Sequence, residues 1–247
     1  FTERIGGENV EVVFPAPPDI DPAFWTPDGA VVRKYQKADL IILNGAGYEK
    51  WTKKVSLPML RQVDTSKSFR DNLIHIDTTV THSHGPGGDH SHGGTAFTTW
   101  LDFSQAALQA KTIYDALIRR MPSQKDTFSE NHKLLQKDLL ALDETMLILS
   151  GKKPGKPLFA SHPIYQYMAR RYSLNLRMVM WEPDKEPVGK EWKYLQELAQ
   201  SHHADWMIWE AKPLSASAEK LYKMNIMSQV FSPCYAVPHQ GDFLSIM

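Results

Sequence analysis

The segment Thr81-His-Ser-His-Gly-Pro-Gly-Gly-Asp-His-Ser-His-Gly-Gly94 gathers His82, His84, His90 and His92, four of the chain's ten histidines, into two His-x-His pairs. Imidazole is the commonest protein ligand for zinc, copper and nickel, and its ordinary pKa leaves it mostly neutral at pH 7. Glycine and proline between the pairs let the backbone bend so that several ring nitrogens meet one cation. The alternative is a solvated polar loop. Asp89, inside the segment, offers an oxygen ligand. The single cysteine, Cys234, excludes an intrachain disulfide and any zinc site built on two or more thiolates.

Outside this loop, His162 stands before Pro163 at a strand-to-helix junction, and Glu210 follows an apolar run, where a cleft carboxylate could sit. The bland readings serve the other histidines better. His202-His203 follow a helix, where a cation near the C-terminus is favourable. His75 alternates with Ile74 and Ile76 on a strand, His132 lies on the exposed side of a helix, and His239 is in a loop. Asp102 reads as a helix cap, and the ten methionines read as core. Catalytic signatures are missing: there is no His-Glu-x-x-His, Gly-x-Ser-x-Gly or Walker loop. Cys234 with His239 has no flanking pattern of a thiol enzyme.

The elements that must position these groups alternate. Val10–Phe14, Leu40–Leu43 and Leu73–Ile76 read as strands; helical spacing runs from Trp100 to Met121 and from Phe128 to Leu149, with Gly151 and Pro154 ending the second. Then come a strand at Leu158–Ala160, a helix at Pro163–Tyr172, a strand at Met178–Trp181, a helix at Gly189–Ser201, a strand at Trp206–Trp209, a helix at Leu214–Met224 and a strand at Met227–Phe231. This predicts an α/β fold: two lobes, each a parallel sheet flanked by helices, joined by one long backbone helix. The expected divisions are 1–124, an N-terminal lobe with His-rich loop 81–94; 125–152, the linking helix; and 153–247, the C-terminal lobe. Ligands of such folds sit at strand ends. Formal net charge is zero across 247 residues, which argues against nucleic acid as a partner. No apolar run is long enough for a membrane span. The start at Phe1 suggests a trimmed chain whose leader has been removed.

Ala38-Asp39-Leu-Ile-Ile-Leu-Asn44-Gly45-Ala-Gly47-Tyr-Glu49-Lys-Trp51 resembles the strand-and-turn signature of the zinc/manganese ABC-transporter substrate-binding proteins. Trp100-Leu101-Asp102 resembles that family's His-x-Trp-Leu-Asp segment. Ser161-His162-Pro-Ile-Tyr165-Gln-Tyr167 is similar to its Ser-His-x-Ala-Phe-x-Tyr segment. Glu186-Pro187 resembles a family Glu-Pro pair, and Phe231-Ser232-Pro233 the end of its closing strand. The resemblance implies capture of a divalent metal, zinc or else manganese or a similar ion. It also implies delivery to an ABC permease in the cytoplasmic membrane by a non-enzymatic, monomeric, periplasmic or extracytoplasmic protein, held through its leader where anchored.

The resemblance further implies four ligand positions: Ala23, Thr98, His162 and Ser232. Only His162 carries a good donor. Alanine has no donor atom, and neutral hydroxyls are poor zinc ligands beside imidazole and carboxylate. The expected remedy is a changed ligand set, with His82, His84, His90 and His92 joining His162. From Gly94 to Thr98 an extended chain reaches roughly 13–14 Å. The alternatives are a degenerate cleft that binds no metal or another small ligand, lined by Phe24, Trp25, Trp100, Tyr165 and Trp181, with the loop as a weak metal buffer or sensor; a zinc-dependent hydrolase; and a surface adhesin.

Overall fold

A computed structural model describes the chain except residues 18–19, 77–80, 84–88, 92–93, 237 and 239; for 81–83 and 89–91 only the backbone is described. The chain divides into two compact units. Unit 1 comprises Phe1–Glu144 and Cys234–Met247, and unit 2 comprises Thr145–Pro233.

Unit 1 opens with helices α1 (Thr2–Gly6) and α2 (Gly29–Lys37). Strands β1 (Ile41–Leu43) and β2 (Gln62–Asp64) pair in parallel. Two antiparallel pairs follow: β3 (His75–Ile76) with β6 (Gly94–Thr95), and β4 (Thr81–Ser83) with β5 (Asp89–Ser91). Helix α3 (Phe103–Arg120) starts where Asp102 accepts hydrogen bonds from the Ser104 and Gln105 amides, at 3.1 and 3.2 Å, which is the expected cap. Its Phe103, Ala106, Ala107, Ala110, Ile113 and Leu117 recur at three- and four-residue steps and are buried. Pro122 follows and prevents its continuation.

Helix α4 (Lys125–Gly151) has 27 residues, and the chain passes from unit 1 to unit 2 within it. At 1.5 Å per residue it extends about 40 Å. Its Phe128, Leu135 and Leu139 are fully buried, each contributing on the order of 1.5–3 kcal/mol. Past unit 2, Phe243 of helix α8 (Phe243–Ile246) packs edge-on against Phe1 at 5.3 Å and Phe103 at 6.1 Å, so the C-terminal segment belongs with unit 1.

The turn after β1 holds unit 1 together through polar contacts. Glu49 accepts from the Asn44 amide at 2.6 Å and the Gly45 amide at 3.3 Å. The Asn44 side chain donates to the Phe97 carbonyl at 2.9 Å and accepts from Gln109 at 2.7 Å. Gly45 has φ +81°, and a Cβ there would overlap the Asp64 carboxylate and Ser66 hydroxyl. Glycine is required on both counts.

Unit 2 is an α/β layer. Strands β7 (Pro157–Ala160), β8 (Asn175–Met178), β9 (Trp206–Trp209) and β10 (Met227–Val230) form one parallel sheet in the order β10-β9-β7-β8. Helices α5 (Gln166–Arg171), α6 (Gly189–Ser201) and α7 (Ser215–Lys223) make the connections. The core gathers Phe159, Val179, Trp181, Trp192, Leu195, Met207, Trp209 and Leu221. Both central strands read as apolar runs because both faces of a parallel sheet are covered.

Several expectations are corrected. Val10–Phe14 forms no strand; Val12, Val13 and Phe14 are exposed, and the prolines that follow remove the amide donors a sheet would need. The strand expected at Met178–Trp181 lies earlier, at Asn175–Met178. His132 is buried, not exposed, and stacks on Tyr114 at 4.8 Å. Met59 is exposed rather than core. His202 packs on Phe159, its Nε2 lying 2.9 Å from the Leu158 carbonyl, instead of turning back on its own helix end.

Candidate metal centre

Three consecutive steps along the sheet of unit 2 build a donor cluster. His162 leaves the end of β7, and the Ser161 amide before it donates to Ile208 of β9 at 2.9 Å. Glu182 follows the end of β8, where the Trp181 amide donates to the Ser161 carbonyl at 2.6 Å. Glu210 immediately follows β9. The backbone ladder therefore continues past the formal strands and sets all three side chains at the carboxyl ends of neighbouring strands, the usual ligand position of open α/β sheets.

The two glutamates share a local device. Each follows a buried tryptophan, Trp181 or Trp209, and these rings lie 6.1 Å apart in the core. Trp181 also packs on Trp192 at 4.6 Å. Anchoring the rings fixes the backbone from which the carboxylates project, with His162 on the strand between them. One donor atom from each of His162, Glu182 and Glu210 lies within 4.8 Å of the others. His162 Nδ1 is 3.6 Å from Glu182 Oε1, and the two side chains are 3% and 16% exposed. One neutral imidazole and two carboxylates in a largely buried place can neutralise and coordinate a divalent cation.

The end of β10 closes beside this cluster. Tyr165, fully buried, donates its hydroxyl to the Phe231 carbonyl at 2.6 Å. Burial first, and then the Glu210 charge, hold its phenol well above the usual range. Ser232, the next residue, is half-buried.

The other sequence candidates lie elsewhere. Ala23 and Thr98 are buried in unit 1. His82 and His90 occupy directly opposed register positions of the β4–β5 pair, and Asp89 opposes Ser83. His84, His92 and His239 fall outside the described residues. Trp181 and Tyr165 are core residues of unit 2, whereas Trp25 packs on Trp51 and Trp100 on Tyr48 in unit 1. Glu182 escaped the sequence reading. Its signal was the repeated Trp-Glu pair, Trp181-Glu182 and Trp209-Glu210, each just past an apolar strand.

The family profile described as "Zinc-uptake complex component A periplasmic" matches residues 1–247. The chain belongs to this family. Among relatives, it is 23% identical over 194 residues to the metal ABC transporter substrate-binding lipoprotein SsaB of Streptococcus sanguinis. It is 25% identical over 195 residues to the manganese ABC transporter substrate-binding lipoprotein scaA of Streptococcus gordonii. Each match takes in 76% of this chain and 60% of the relative, so the chain spans less than two thirds of their length. The metal-dependent lipoprotein YcdH of Bacillus subtilis superposes with a TM-score of 0.84 at 20% identity, covering 99% of this chain and 90% of that one. The fold is shared. The family is one of solute-binding proteins, and the two relatives named here are metal ABC-transporter substrate-binding lipoproteins. Of the four ligand positions implied by the resemblance, His162 alone contributes to the cluster found in unit 2.

Proposed function

We propose that this protein captures a divalent metal, zinc foremost, outside the cytoplasmic membrane and hands it to an ABC permease, and that His162, Glu182 and Glu210 hold the cargo. The convergence of these three side chains from three neighbouring strand ends carries the reading. Glu182 and Glu210 supply the charge that the alanine, threonine and serine positions cannot. Three protein donors leave room for water or a further ligand on zinc. His82, His84, His90 and His92 serve as a separate and weaker collector. The extracytoplasmic setting agrees with lipoprotein relatives; among the described residues no helix is long and apolar enough to cross a membrane. A second reading, manganese as cargo, draws on the two carboxylates, since oxygen donors suit that ion better than they suit softer ones.

Calorimetric titration with zinc and with manganese tests this. Wild type is expected to take up one tight equivalent, with binding weakening below about pH 6 as imidazole protonates. His162→Ala and Glu182→Gln are each expected to cost roughly a hundredfold or more, at or beyond the 10–100-fold typical of groups that only orient a ligand. Deleting His82–His92 should remove weak equivalents and spare the tight one. Unchanged tight binding in both point variants would overturn the assignment.

A further inference from the structure

Helix α4 buries one side through Phe128, His132, Leu135 and Leu139 and turns a second apolar side outward. On a helix, residues seven apart stay within about 20° of one another, so the outward residues fall into adjoining rows. Leu140 and Leu147 form one row, Lys137 and Glu144 the next, and Leu134, Ala141 and Ile148 the third; all of them are exposed. The four large apolar side chains among them are between 42% and 55% exposed. A single exposed leucine is ordinary, but apolar rows on both sides of one charged row make a contiguous patch, and such patches mark interaction sites. The charged row adds a second observation. Side chains on a helix meet at spacings of three and four. Those positions around Lys137 hold Lys133, Leu134, Leu140 and Ala141, and around Glu144 they hold Leu140, Ala141, Leu147 and Ile148. Neither charge can find its opposite within α4, and neither makes an ion pair among the described residues.

We propose that the outward side of α4 is a self-association surface, on which two copies of this chain pair antiparallel about an axis passing between Leu140 and Ala141, giving a weak dimer in place of the monomer that the family resemblance implies. Lys137 and Glu144 are equally far from that axis, so Lys137 of each copy lies level with Glu144 of the other, and each charge meets the opposite one that its own helix denies it. Leu134 and Leu147 are equally far from the axis too, which sets apolar rows together beside the charges. Ala141, a small residue next to the crossing, lets the backbones approach. A closed pair of this kind needs one self-complementary patch, the commonest plan of homo-oligomers. A parallel pair would instead set Lys137 against Lys137 and Glu144 against Glu144. An anionic membrane is the poorer occupant, because helices that lie on membranes are rich in lysine and arginine on their polar face, whereas this row carries acid as well as base. One pair of helices is small for a specific interface, so the dimer belongs to high protein concentration.

Sedimentation velocity on the full chain at rising concentration tests this. Wild type is expected to shift from monomer toward dimer. Lys137→Glu sets like charges against Glu144 of the second copy, and Glu144→Lys sets them against Lys137. Each variant alone should weaken the dimer on the order of tenfold or more, since like charges facing one another across an interface are costly. An equal mixture of the two variants should restore it, because every facing pair then holds one charge of each sign. Leu140→Ser should weaken it as well. Crosslinking reads the register. In a Cys234→Ser background, Ala141→Cys treated with a short bis-maleimide should give a covalent dimer, and Glu219→Cys, exposed on α7, should not. Circular dichroism verifies folding; Leu140→Cys replaces Ala141→Cys if the latter fails to fold, and if Cys234→Ser fails, the wild-type yield is subtracted instead. A wild type that stays monomeric at every concentration overturns the proposal. So does an undiminished dimer in Lys137→Glu, a mixture no tighter than its parts, or equal crosslinking of the Ala141→Cys and Glu219→Cys proteins. Sedimentation of monomer with phosphatidylglycerol vesicles, abolished by Leu140→Ser, would assign this side of α4 to a membrane and overturn it too.

Discussion

His162 Nδ1 lies 3.6 Å from Glu182 Oε1 although helix α5 and strand β8 separate them along the chain. Parallel pairing of β7 with β8, from Pro157 opposite Asn175 to Ala160 opposite Met178, makes the approach possible. The register brings the strand ends level, and a shift of that register would part the two side chains. A ligand that binds only the native state raises stability by about 2.7 kcal/mol at a concentration one hundredfold above its dissociation constant. Zinc is therefore expected to raise the melting temperature of wild type by several degrees and to leave that of Glu182→Gln almost unmoved. Differential scanning fluorimetry with and without zinc measures both. An equal rise in the two proteins would detach Glu182 from the metal.

Glu49 predicts a pH dependence. Burial pushes its carboxyl up to about 7, with the nearby Asp64 charge adding a little, while the amides of Asn44 and Gly45 pull the other way. The folded value lies above the unfolded one. Its stabilising share is therefore complete below the unfolded value of 4.5 and is lost as pH rises through 7. The full swing is on the order of 3 kcal/mol. Glu49→Gln keeps an oxygen for the two amides and removes the charge. Between pH 5 and 8 this variant should show a flatter unfolding free energy than wild type, and above pH 7 it should be the more stable of the two. Urea titrations across that range decide it; parallel curves would refute it.

His132 works in the opposite direction. Burial, and then Lys111, hold its pKa below the usual histidine value. Protonation is thus harder in the folded state, and stability is lost as pH falls through the unfolded value near 6.5. His132→Phe preserves an aromatic ring for the stack on Tyr114 and removes the titration. Its melting temperature should fall less than that of wild type between pH 7 and 5. A matching fall would sink the idea.

Gly45→Ala tests the turn that carries Glu49. The added methyl meets φ +81° and the Asp64 and Ser66 side chains at once. A loss of about 1–3 kcal/mol is expected from the left-handed conformation and the overlap together. Gly47, also at positive φ but with open space around it, should lose less on the same change. Chemical denaturation of the two variants gives the comparison, and equal losses would show that overlap contributes nothing.

Read by itself, the sequence determined the alternation of elements, because apolar period and breaker residues are local properties. Gly189–Ser201 and Trp206–Trp209 match the observed helix and strand residue for residue, and the long helix was legible from its leucines. His162 was legible too, as a histidine at a strand-to-helix junction. What only the tertiary structure decided was the company His162 keeps. Glu182 reaches it through strand register, which depends on which strands neighbour one another, and nothing local in Trp181-Glu182-Pro183 states that β7 lies between β8 and β9. Burial of His132 was illegible for a related reason: an amphipathic pattern shows which residues share a helix face, but another element, here Tyr114 on α3, decides whether that face is covered.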